Sequence, residues 1–262
     1  MFPEITVHRY GARNVQAALR YVRDVLWTQM DATDPAAFRP DRLTVVLSGS
    51  SAGGFGAAYN YHFLLDDLQW AHTTSVQDAG LGMDNGGPDG VFALAAIALL
   101  PTSPGWGIRP YFAPYCLSAA CAETYINLDL AQSVRLKAVP DQQILVVTNQ
   151  VDSTQVATTN FPSVPAFVNE LRSSYCDIQG APGVHSFLYA SNTAIHGMID
   201  DVSWNDAAIG GTLLRDWVGN AMSDPDGVID KIATGTIEAN RPAVLPFPCA
   251  IGSPSGAFLE MP

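Results

Sequence analysis

A single α/β domain spanning residues 1–262, built on a mostly parallel central sheet with helices on both faces, is predicted by three features of the sequence. Two short apolar runs, residues 43–47 (LTVVL) and 144–148 (ILVVT), have the continuous character of strands covered on both faces. Helical spacing follows or precedes them, and each run opens directly onto a turn rich in Gly, Ser, Asn or Asp. At 262 residues, 48% hydrophobic and 15% charged, the chain has the composition of one globular domain.

The elements follow in order. Residues 15–30 place Val15, Ala18, Leu19, Val22 and Leu26 on one helical face, with Asn14 as the expected N-cap. After the strand at 43–47, the pattern GAAYNYHFLLDDL at 56–68 is helical, and residues 72–76 read as a second strand ending at Gln77-Asp78-Ala79-Gly80. Residues 84–115 are rich in Gly and Pro and are expected to form loops and short helices over one sheet edge. The strand at 144–148 leads to Asp152, a weaker strand is expected at 187–190, and residues 207–222 return to helical spacing despite the pair Gly210-Gly211.

Twenty-five acidic against thirteen basic side chains give a formal charge of −12, with no cluster of Lys or Arg. Phosphate backbones need such clusters, so nucleic acid is not an expected partner, and a neutral or partly esterified substrate fits better. The longest apolar stretch, 91–100, is too short to span a bilayer. The first residues lack the pattern of a signal peptide. Cys116, Cys121, Cys176 and Cys249 have no zinc-site spacing. The favoured pairing is Cys116 with Cys121 and Cys176 with Cys249, implying an oxidising compartment, with four buried thiols as the alternative. The strings DNGGPDG (84–90) and DPDGVID (224–230) lack the full ligand spacing of calcium loops and read as turns, so neither metal nor organic cofactor is expected.

Gly49-Ser50-Ser51-Ala52-Gly53 matches G-x-S-x-G between a buried strand and a helix, the setting in which a sharp turn exposes a serine hydroxyl. This is the nucleophile elbow of the α/β-hydrolase fold, and Ser51 is the candidate nucleophile. Small flanking residues suit so tight a bend. A serine needs a base and a group to orient that base, which in this fold follow in the order Ser, Asp or Glu, His. Asp152, just beyond a buried strand, is the candidate acid; an N-cap or turn aspartate is its plainer reading. Asp78 comes early for that role and is assigned to substrate binding or structural support. Of the two late histidines, His196 lies in a loop after a strand and His185 at a strand's entry, so His196 is favoured as base. The Ala52 N–H is the first oxyanion donor, but only Gly11 precedes Gly49, so no Gly-rich loop supplies the second. Phe55 and Trp204 are candidate substrate contacts, with core packing as the alternative for each.

Several segments together resemble the pectin acetylesterase family: LSGSSAGGFGAAYN, SVQDAGL, LVVTNQVDSTQ, FLYASNTAIHGM and VSWNDAAIGGTLLRDWV, spread in the family's order over about residues 5 to 220. The resemblance implies a secreted, disulfide-bonded serine carboxylesterase with Ser51, Asp152 and His196 as its triad, deacetylating an esterified polysaccharide without a cofactor. The family's cysteines beside the catalytic histidine are not matched, since Asn192 and Gly197 stand there. Its Gly-Gly-Gly-Trp oxyanion stretch is also missing. The chain begins at a segment similar to the family's His-Arg-Gly region, here His8-Arg9-Tyr10-Gly11, as expected of a bacterial-type, N-terminally shortened member or of a compact relative that builds the hole otherwise. The same triad could serve an amidase or peptidase, and a relative lacking an oxyanion donor could bind a ligand without turnover.

Overall fold

The computed structural model describes residues 11–33, 43–68, 71–81, 142–158, 161–191, 195–234 and 246–251. The expectations for residues 84–115 and for Cys116 and Cys121 lie outside them.

Alternating β and α segments with a connection between successive strands long enough to cross over produce a parallel sheet. Helix α1 (Gly11–Thr33) precedes β1 (Thr44–Ser50), α2 (Ala52–Asp67), β2 (His72–Asp78) and β3 (Gln142–Asn149). Then come α3 (Ser153–Thr158), α4 (Val164–Ile178) and β4 (Val184–Tyr189). A short α5 (Ser203–Asp206), the hairpin β5 (Ala208–Ile209) and β6 (Thr212–Leu213), α6 (Leu214–Ser223) and β7 (Lys231–Ile232) complete the described chain. The main sheet runs β1-β2-β3-β4-β7 with every pairing parallel. This is the α/β-hydrolase arrangement expected of the sequence, with successive strands side by side and their C-terminal ends on one rim.

Strand β3 is buried along its whole length, as the ILVVT run requires. Its side chains alternate between two cores. Ile144 and Val146 pack with Tyr61, Leu64 and Leu65 of α2 and with Phe167, Val168 and Leu171 of α4. Leu145 and Val147 pack on the opposite face with Leu214, Trp217, Val218 and Ala221 of α6. Full burial of each such side chain contributes about 1.5–3 kcal/mol, so the two helix layers fix the sheet that carries the rim. No described helix is long and apolar enough to cross a membrane.

Three elements depart from expectation. Strand β1 is not covered on both faces: Thr44, Val46 and Ser48 share one face and are exposed, while Val45 and Leu47 on the other pack against the core. Helix α1 begins at Gly11, so Asn14 lies inside it rather than capping it, and Ala18 and Val22 face outward while Leu19 is buried. The predicted 207–222 helix is interrupted. Gly210 and Gly211 have φ of 57° and 82° and form the two-residue turn between β5 and β6, a conformation that left-handed residues supply and a helix cannot contain. Helix α4, which the apolar pattern did not announce, is set by Ser163, whose side chain accepts the Ala166 N–H, and by a proline in its first turn. The 224–230 string is a turn, as expected: a 3₁₀ segment (Pro225–Gly227) followed by Asp230, which accepts hydrogen bonds from Tyr175 Oη and the Ser186 N–H.

Candidate active site

The ends of β1, β2 and β3 carry or lead to Ser51, Asp78 and Asp152, and His196 follows β4. Ser51 sits at the point where β1 passes into α2, with φ 56° and ψ −122°, a conformation L-residues rarely adopt. It is held there by its N–H on the Asp78 carbonyl (2.9 Å) and by its own carbonyl, which accepts the Phe55 N–H at 3.2 Å. The turn is closed so tightly that a Cβ on Gly49 would land on the Gly53 carbonyl. Gly53 itself has open space around the position of a Cβ, so the need for a small residue is one-sided. Ala52 begins α2, and the first-turn N–H groups of a helix have no intrahelical acceptor, leaving its N–H able to meet an anion.

Asp152 lies two residues beyond the Gln150 turn that ends β3 and is fully buried. Its two carboxylate oxygens have separate partners. Its Oδ1 accepts the Gln155 N–H at 2.9 Å, capping α3, while Oδ2 meets His196 Nδ1 at 2.7 Å. Gln155 Nε2 also donates to Oδ2 (2.9 Å) and to Thr148 Oγ1 (3.2 Å), so the carboxylate is fixed from two sides. With Nδ1 turned to the Asp152 carboxylate, the other ring nitrogen of His196 points away from it; the side chain is 22% exposed.

The loop that carries His196 meets the elbow through the next residue. Gly197, at φ 73°, packs so closely on the elbow that a Cβ there would lie 2.5 Å from Ser50 Oγ. Ser51 Oγ and the imidazole are not hydrogen-bonded to each other in this structure. Such contacts are commonly long before substrate is present and tighten in the Michaelis complex. His185 is elsewhere: it is the second residue of β4, near Asp230, with its pKa lowered by burial and partly restored by that carboxylate.

Asp78 has the geometry of support rather than of a substrate contact. It is fully buried, and its Oδ2 accepts the N–H groups of Met198 (2.6 Å) and Ile199 (3.0 Å). Burial pushes its carboxyl up, against the pull of those two donors, and the nearby Asp200 pushes it further. Phe55 is half-buried in the first turn of α2, and Trp204, also half-buried, packs on the cluster around Phe187 and Trp217. Among the described residues no three His, Cys, Asp or Glu side chains form a group that could hold a metal. A cavity of about 350 Å³ lined by Arg23, Asp24, Trp27 and Thr28 lies on α1 and includes none of the candidate residues.

Two site residues were not reached from the sequence. Asn149, the last residue of β3, accepts the N–H groups of Val151 and Ser191 on Oδ1 and donates from Nδ2 to the Ile195 carbonyl at 3.0 Å. Gln155 was noted only as part of a motif, although the D-x-x-Q spacing at the start of a helix is a capping signal.

No protein-family model matches the sequence, and no curated protein matches it. Among solved structures, the Wnt deacylase Notum from Drosophila is similar, with a TM-score of 0.49 and 18% sequence identity over 73% of this chain. The chain covers 57% of that structure's length.

Proposed function

We propose that this chain is a serine hydrolase that cleaves carboxylic esters through an acyl-serine intermediate. The observation that carries the reading is the 2.7 Å contact between His196 Nδ1 and the buried Asp152, on a loop whose next residue packs against the Ser50-Ser51 elbow. A histidine oriented by a buried carboxylate beside a strained serine has the parts that nucleophilic acyl transfer needs.

In the proposed reaction, His196 takes the Ser51 Oγ proton as Oγ bonds to the acyl carbon, and the Ala52 N–H receives the resulting oxyanion. The imidazolium returns the proton to the departing alkoxide, which leaves as the alcohol. Water then attacks the acyl-serine, giving its proton to His196, and the acid is released with Ser51 reprotonated. Asp152 keeps the imidazole in the productive tautomer throughout. No metal or organic cofactor has a part in these steps. Phe55 and Trp204 are proposed to border the substrate. The acidic chain favours an uncharged ester, and the motif resemblance suggests an acetylated polysaccharide. The Cys176–Cys249 disulfide supports an oxidising, extracytoplasmic setting.

The test is turnover of a panel of p-nitrophenyl and polysaccharide acyl esters, with a matched amide, by wild type, Ser51→Ala and Asp152→Asn. Wild type is expected to hydrolyse short acyl esters, Ser51→Ala to lose turnover, and Asp152→Asn to fall by about 10⁴ in kcat through the wrong tautomer. Equal rates for wild type and Ser51→Ala would overturn the proposal.

A further inference from the structure

The segment that carries His196 has no ladder of its own: residues 195–202 are bends and irregular backbone. A base must nonetheless be held to within a fraction of an ångström of its working position. Two side chains at strand ends supply the restraint. Asn149, ending β3, binds the carbonyl of Ile195, the residue before the histidine, and the N–H of Ser191 at 3.2 Å. Asp78, ending β2, binds the N–H groups of Met198 and Ile199, two and three residues after it.

We infer that Asp78 and Asn149 are positioning residues for the catalytic base, gripping the histidine loop on either side of His196 and tying it to the same strand ends that hold Ser51 and Asp152. The inference rests on the hydrolase reading above. Asp78 is the stronger of the pair, because its main chain and side chain serve different partners. Its carbonyl accepts the Ser51 N–H at 2.9 Å while its carboxyl holds the histidine loop, so one residue relates nucleophile to base. The backbone at this junction is strained on both strands. Ser51 and Ala79 are the two non-glycine residues with positive φ among those described, and they follow directly on the paired strand ends Ser50 and Asp78. Strain of this kind persists where the surroundings over-determine the conformation, and it gathers at functional sites.

The Asp78 side chain acts here as an acceptor of two N–H groups, a task an amide oxygen can share. Asp78→Ala removes the grip, and Asp78→Asn keeps an oxygen in its place.

The experiment compares kcat, KM and the rate of Ser51 labelling by a fluorophosphonate, each per folded molecule, for wild type, Asp78→Ala, Asp78→Asn and Asn149→Ala on p-nitrophenyl acetate. Asp78→Ala is expected to lose about 100-fold in kcat and in labelling rate with KM little changed, as a base displaced by about 1 Å would. Asp78→Asn is expected to recover most of that loss, and Asn149→Ala to lose about tenfold, a displacement cost of one factor of ten in rate. A residue of purely structural importance would lower the folded fraction and leave the rate per folded molecule alone. Wild-type kcat in folded Asp78→Ala overturns the inference, as does an Asp78→Asn variant as slow as Asp78→Ala. Should Asp78→Ala not fold, a wild-type kcat in Asn149→Ala overturns it. Ser51→Ala and His196→Ala run alongside: turnover surviving in them defeats the hydrolase reading, whereas inert controls beside unaffected Asp78 and Asn149 variants defeat the positioning role alone.

Discussion

Gln155 holds Asp152 by both of its nitrogens, the backbone N–H on Oδ1 and the side-chain Nε2 on Oδ2, each at 2.9 Å. The second contact falls on the same oxygen that receives His196, so the amide fixes the direction in which the carboxylate presents its lone pairs. Gln155→Ala is expected to leave the cap intact, because the backbone N–H remains, and to lower kcat about tenfold with little change in KM. Gln155→Glu should be worse than alanine near neutral pH. A second carboxylate against Asp152 makes the pair share a proton, and a protonated Asp152 no longer supports an imidazolium. The check is a pH–rate profile of both variants; a Glu variant matching the Ala variant at every pH would contradict the assigned role of Gln155.

The two glycines flanking the elbow are predicted to behave differently. A methyl group at position 49 would strike the Gly53 backbone, which cannot move without opening the turn, so Gly49→Ala should cost about 2–4 kcal/mol of stability. Gly53 has room and lies exposed in the first turn of α2, where alanine is the better helix former. Gly53→Ala should therefore be neutral or stabilising by up to about 1 kcal/mol. Urea unfolding of the two variants distinguishes them, and equal destabilisation would contradict the packing.

What the sequence disclosed follows from how local each feature is. ILVVT is visible because a buried parallel strand must be apolar on both faces, and Asp152 is visible because it comes straight after one. LTVVL is the same kind of string, yet β1 is half open: burial depends on what covers each face of a strand, and no residue in the run records that. The glycine pair 210–211 lay inside a helical periodicity that runs on through Leu214, Trp217 and Val218, so the hairpin was hidden by its neighbours. The grip of Asn149 and Asp78 on the histidine loop joins residues 46 and 120 positions apart, and side-chain to backbone bonds at such separation leave no pattern in composition or spacing.

The Cys176–Cys249 disulfide ties residues 246–251 to α4 across a sequence separation of 73. The same contact is reinforced by Phe247, which meets Tyr175 edge-on at 5.8 Å between ring centroids and lies 4.6 Å from the Arg172 guanidinium carbon. Closing a loop of that length restricts the unfolded chain by about 4 kcal/mol. Reduction is expected to lower stability by roughly that amount, about 10 °C in the thermal midpoint, while leaving kcat near its oxidised value, since the linkage contacts none of Ser51, Asp152 or His196. Thermal unfolding and turnover measured with and without dithiothreitol test both halves. An unchanged midpoint would argue that the Phe247 contacts hold the segment unaided.

His185 should make the protein sensitive to mild acid. Burial lowers its pKa from the ordinary 6.5, and the Asp230 carboxylate restores only part of the loss. As pH falls through about 6.5 the imidazole of the unfolded chain takes up a proton while the folded one still resists, so proton uptake favours unfolding. Stability is therefore fully present above the unfolded value and declines below it until the folded imidazole also protonates. Asp230 acts in the opposite sense at lower pH. Burial raises its pKa above 3.8, against its bonds from Ser186 and Tyr175, so protonating it favours the folded chain. That contribution is common to both proteins in a comparison of wild type with His185→Gln, leaving the imidazole as the main difference. The variant's urea midpoint, measured relative to wild type, is expected to rise on going from pH 7.5 to 5.5. A difference that stays constant across this range, or shrinks, would show that the imidazole is not held neutral in the folded chain.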